Sequence, residues 1–242
     1  MKKKKKTPKK QRKLLTILLI ILGIEIILVT HKILVKYVLV DNKNSDMPEI
    51  QEEKINNDLY DYKISNRATD YEKQLFNQLE EILSKELISY EEYGKVLTQI
   101  FITDLFTLKN KKSSNDIRSS QYIYKDYQET FKLMVKESLY SNIELDLDRT
   151  REQQLPEVTE VTINSITKDI FKYNNEILDN EALFIEATIN YELDLGYPTN
   201  YKVVLVKKDN LLQVVKASQK KTKQNFINLF SFFYFKELIP NL

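Results

Sequence analysis

Apolar residues recur along this chain at two spacings, and the switch from one to the other divides it. In the first region the step is three and four. Leu75, Phe76, Leu79, Ile82, Leu83 and Leu87 form one helical stripe, and Val96, Leu97, Ile100, Phe101, Leu105 and Leu108 form a second. Each stripe follows a capping-box signature, Thr69 with Glu72 and then Ser89 with Glu92. The short break between them predicts two adjacent helices. A third helix is expected over 126–140, with Tyr127, Phe131, Val135 and Leu139 as its stripe and Glu129 three residues after Asp126.

After Tyr140 the step falls to two. Ile143, Leu145 and Leu147 alternate with acids, residues 153–157 around Pro156 read as a loop, and 158–173 is rich in Val, Ile and Thr. The strictest alternation is Leu183, Ile185, Ala187, Ile189, Tyr191 and Leu193. Turn residues at 194–200 lead to strands at 201–206 and 211–215, joined at Lys208, Asp209 and Asn210. Helices first and antiparallel strands after predict an α+β domain: about three helices packed on one face of a curved antiparallel sheet of four to five strands.

The chain ends follow neither spacing. Lys2, Lys3, Lys4, Lys5, Lys6, Lys9, Lys10, Arg12 and Lys13 precede an apolar run, 14–34, whose first eleven residues carry no charge. As a helix that run is about 30 Å long, enough to cross the hydrocarbon core. No Ala-x-Ala-like cleavage site follows, so the run reads as an uncleaved anchor whose helix can continue to Val40. The basic block places the N-terminus in the cytoplasm against anionic lipid and the rest of the chain outside the plasma membrane. Glu25 falls near the bilayer midplane, either as a polar contact to another transmembrane helix or as a neutral glutamic acid in a lone one. Gly23, with Thr16 and Thr30, forms a small-residue stripe that could pair two helices.

Residues 41–68 read as an acidic spacer, 69–218 as the exported domain and 219–242 as an aromatic-rich tail. Phe226, Phe230 and Phe233 stand in that tail, which is apolar nearly all round as a helix and too short to span a membrane. It packs on its own domain, docks on a partner, or lies in the membrane interface.

Charge sharpens the division. The whole chain is +2, but without its nine N-terminal cations it has 28 basic against 35 acidic residues, a net −7. That argues against nucleic acid as a partner of the exported domain. There is no cysteine, and the single histidine, His31, falls at the edge of the apolar run. Thiol chemistry, a Ser-His-Asp site and a His-metal site are excluded, and three glycines build no phosphate loop. No metal ligand set, cofactor site or catalytic set is expected. Asp104 is the single candidate base, on the apolar face with Leu97, Phe101 and Leu108; its alternative is a carboxylate bonded to a tyrosine hydroxyl, a backbone N–H or Arg118.

The order of elements over 69–218 resembles the cone-shaped fold typified by nuclear transport factor two. With one anchor and a short cytoplasmic tail, the chain resembles the TcpC-type assembly factors of type IV secretion and conjugation channels. That resemblance implies a non-enzymatic subunit that self-associates and contacts other membrane or cell-envelope proteins. The expectation is a single-pass scaffold that displays an interaction domain. The alternatives are an extracytoplasmic ligand-binding or sensor domain, or an enzyme using Asp104 as base.

Overall fold

Capping decides where the first helix begins. In the computed structural model, which describes residues 53–54 and 60–219, Thr69 Oγ1 accepts the Glu72 N–H, and Glu72 Oε2 accepts the Thr69 N–H at 2.6 Å. The expected capping box forms, and α1 runs Asp70–Leu83 behind it. Leu87 lies past the end of α1 and is exposed, so it does not extend the stripe. At the second helix half the box forms. Ser89 caps the Glu92 N–H, while the Glu92 carboxylate faces Lys85 at 3.6 Å. Helix α2 then runs Tyr90–Phe106. Helix α3 covers Gln128–Glu137, shorter at both ends than the spacing suggests. Lys125–Tyr127 is a 3-10 turn, and beyond Ser138 the chain bends to bring Tyr140 into the core.

The first strands are short. β1 (Glu53–Lys54) pairs antiparallel with β2 (Lys63–Ile64). Tyr60, Tyr62, Ile64 and Ala68 are buried, so the end of the stretch read as spacer supplies core residues. The Gln121 amide bonds both the N–H and the C=O of Lys63, at 2.8 and 2.9 Å, as a neighbouring strand would.

The main sheet is a four-stranded antiparallel meander in chain order: β3 (Val158–Tyr173), β4 (Glu176–Tyr191), β5 (Asn200–Lys208) and β6 (Leu211–Gln219). Two of its hairpins close on residue pairs with positive φ, Asn174 with Asn175 and Asp209 with Asn210. Paired left-handed residues match the twist of the flanking strands, and Asn and Asp tolerate that conformation. Register shifts at Val158/Glu160, Ile163/Ser165 and Asp169/Phe171 interrupt β3, and each such bulge bends the strand locally.

The three helices pack against one face of this sheet. Leu183, Ile185, Ala187 and Ile189, the alternating residues of β4, join Leu97, Phe101 and Phe131 in a single core. Helix α2 approaches the sheet closely at Gly94, where a Cβ would stand 2.4 Å from Leu183 Cδ1. A glycine there lets the helix backbone lie close to the sheet. Ile123 and Tyr124 run alongside β6, with the Tyr124 N–H donating to Val214 O at 2.9 Å.

The alternation at Ile143, Leu145 and Leu147 makes no strand. Leu145 and Leu147 are exposed, and Asp146 between them is buried. Ile143 is buried, and from Leu145 to Leu147 the pattern is inverted because donors wait inside for the Asp146 carboxylate: the N–H groups of Thr150 and Arg151, and the Arg67 guanidinium. Among the described residues no helix is long and apolar enough to cross a membrane. The segment expected to do so, 14–34, lies outside them, as does the tail beyond residue 219.

Candidate functional site

A helix end leaves carbonyls without intrahelical donors. At the C-terminal end of α2 no basic residue of the helix answers them, and side chains from other elements do. Tyr140 donates to Leu105 O at 3.0 Å; beyond the helix, Arg151 donates to the loop carbonyls of Leu108, Lys109, Lys111 and Glu144. Pro156 O receives the N–H groups of Leu108 and Lys109, which ties this end to the start of β3.

Asp104 sits in the last turn of α2, 6% exposed. Its Oδ1 accepts Lys111 Nζ at 2.5 Å and lies 3.7 Å from Arg118 Nη2; its Oδ2 has no partner. Lys111 is fully buried. Arg118 Nε stands 3.1 Å from Asp116 Oδ1, off the line of a hydrogen bond, and Asp116 Oδ2 accepts the Lys112 N–H at 2.9 Å. Glu72 joins from α1. Its Oε2 accepts Asn110 Nδ2 at 2.7 Å, and Asn110 Oδ1 accepts Arg118 Nη2 at 3.3 Å.

Three carboxyls thus face two cations. Burial pushes the Glu72 carboxyl up, against the pull of Lys111. Burial acts the same way on Asp116, but Arg118 and Lys111 outweigh it and hold that carboxyl below its ordinary range. Burial, then the nearby Asp104, pushes the hydroxyls of Tyr122 and Tyr140 up, and Tyr140 stays protonated as the donor to Leu105 O.

Beside this cluster is a cavity of about 20 Å³, lined by Glu72, Asp104, Arg118, Gln121 and Tyr122 among others. It has room for about one water and for no larger molecule. The larger opening is elsewhere: a surface cleft of about 480 Å³. Arg67 and Thr69, Lys109 and Asn110, the loop from Asp146 to Leu155, and Glu157, Glu192 and Leu193 form its walls. Those walls are fixed by ion pairs, Arg67 with Asp146 at 3.0 Å and Lys109 with Glu157 and Glu192 at 2.8 and 2.6 Å.

No protein-family model, curated protein or solved structure matches this chain. Function is read from the residues themselves. Of the two readings of Asp104, its geometry favours the paired carboxylate, with Arg118 beside it as named and with Lys111 closer still. Lys111 had no signal of its own, since it stands among polar residues just after α2. Glu72 was visible as a cap but not as a member of a charge cluster. The cationic residues Lys2 to Lys13, Gly23, Glu25, Phe226, Phe230 and Phe233 all lie outside the described residues. Among the described residues no group of three His, Cys, Asp or Glu could hold a metal ion.

Proposed function

We propose that this chain is a non-enzymatic, single-pass membrane scaffold that holds its α+β domain outside the plasma membrane to bind other envelope proteins or a second copy of itself. The observation that carries this reading is the nine-cation block set directly against an apolar run of membrane length. Tethering raises the local concentration of the domain, so weak contacts suffice for assembly. Two features of the domain support binding over catalysis. The central carboxylates are paired with buried cations, and the space beside Asp104 is too small for a substrate. The resemblance in element order to channel assembly factors makes a conjugation or type IV secretion channel the setting we assign. The phenylalanine tail, with Phe226, Phe230 and Phe233, is the docking element.

The test is made in intact cells. Added protease is expected to digest the chain beyond Val40 and spare the basic N-terminus, and cross-linking is expected to capture membrane proteins or a second copy. Deletion of residues 225–242 is expected to remove part of that set. Full protection of the domain from protease overturns the topology; a domain that captures no protein overturns the scaffold.

A further inference from the structure

Five residues other than glycine have positive φ among the described residues. Four of them, Asn174, Asn175, Asp209 and Asn210, stand in the two hairpin turns that require it. The fifth is Arg149, at φ 61°, in the loop that lines the 480 Å³ cleft. Arginine lacks the short polar side chain that eases this conformation for Asn and Asp, and glycine would adopt it without strain. A strained residue at the mouth of a cleft calls for a functional explanation.

The neighbours of Arg149 narrow that explanation. The other three cations of the cleft are engaged: Arg67 by Asp146 and Leu147 O, Arg151 by four carbonyls, and Lys109 by Glu157 and Glu192. Arg149 is exposed and makes one long contact, 3.5 Å to Asn66 O. Leu155 and Leu193 line the same cleft, and Leu193 is half exposed. A guanidinium held only by that one long contact, in a cleft that also presents aliphatic surface and whose walls are already set by ion pairs, fits a carboxylate with an apolar side chain near it. Arginine takes such a carboxylate through two parallel hydrogen bonds.

We infer that this cleft binds an acidic, leucine-bearing peptide segment of a partner protein, with a partner carboxylate on Arg149 and a partner aliphatic side chain on Leu155 and Leu193. This deepens the scaffold reading, on which it rests for the partner being a protein, by assigning the contact surface and its chemistry. Arg149 is kept at a cost in stability because its charge is used.

The test titrates the full chain in detergent micelles with a fluorescein-labelled hexapeptide of alternating leucine and glutamate, and with its leucine–lysine counterpart. The glutamate peptide is expected to saturate the protein and to weaken as salt rises. Arg149→Gly is expected to weaken it about tenfold or more while the melting temperature stays level or rises. Arg149→Glu is expected to abolish it and admit the lysine peptide. No binding of the glutamate peptide, equal binding of the lysine peptide to the native chain, or unchanged binding by Arg149→Gly overturns the inference. None of these results depends on which side of the membrane the domain occupies, so the scaffold topology stands or falls separately, by protease.

Discussion

Asp104 and Asp146 are almost equally hidden, at 6% and 7% exposure, and each lies near an arginine, yet they are satisfied in different ways. Asp104 is met by charge: Lys111 on one oxygen, Arg118 at a longer distance, and nothing on the other oxygen. Asp146 is met by geometry. Two backbone N–H groups converge on its Oδ1, Arg67 holds its Oδ2, and its own N–H donates to Lys112 O. Burial works against the ionised Asp146, and the Arg151 N–H, Arg67 and the Thr150 N–H overcome it, so the carboxyl is held below its ordinary range. The first carboxylate fastens the end of a helix to the loop that follows. The second folds a loop around itself and so shapes the cleft. A buried charge matched by another charge depends on that one partner, whereas one matched by several donors loses them piecemeal.

That contrast predicts the largest effect at Asp104. Asp104→Ala leaves Lys111 wholly buried without its counter-charge, and the expected loss is about 3–5 kcal/mol, measured by urea denaturation. Replacing both partners, as Asp104→Leu with Lys111→Met, is expected to recover most of that loss, because two matched apolar side chains avoid the desolvation of a lone charge. A single variant no worse than a surface substitution would show that the pair carries little. Asp146→Ala ranks next, with an expected loss of about 2–3 kcal/mol from stranded donors. Its signature is local: amides of residues 144–155 lose hydrogen-exchange protection before the sheet does. Asp146→Asn keeps an acceptor for the two N–H groups and loses only the charge on Arg67, so about half the loss is expected. Acid sharpens the same point. A carboxyl held below its ordinary 3.8 contributes stability above that value, and the contribution is lost as pH falls through the lowered one.

The sequence-to-structure comparison follows the same division. Periodicity and caps made α1, α2 and the β4 alternation legible, because those residues answer to local backbone geometry and one apolar face. The turn at Asp209 and Asn210 was readable too, since Asp and Asn tolerate left-handed backbone. The 143–147 stretch misled because alternation says which residues differ and not which of them face inward; long-range donors from Arg67 and the Thr150 turn settled that. Asp104 stood out as a charge on an apolar face. Its main partner did not, because a lysine in a polar loop looks the same whether it is buried or solvated. The cleft was invisible, being assembled from four separate stretches of chain.

Glu72 offers the finest version of the comparison, since it shares the setting of Asp104 and part of the bonding of Asp146. It is 5% exposed, accepts two N–H donors on Oε2, and stands within the field of Lys111, Asp104 and Arg118. Burial prevails, and the folded carboxyl is raised above its ordinary 4.5. For an acid raised on folding, the stabilising contribution is fully present below 4.5 and is lost as pH rises through the raised value. That is opposite in sign to Asp116 and Asp146 and occupies a higher window. Glu72→Gln keeps a neutral acceptor for Thr69 and Asn110 and removes the titration. Thermal melts of both chains from acid to neutral pH are therefore expected to show a gap that grows in favour of the glutamine variant as pH rises. A gap that shrinks instead would mean that Lys111 and Arg118 win over burial at Glu72.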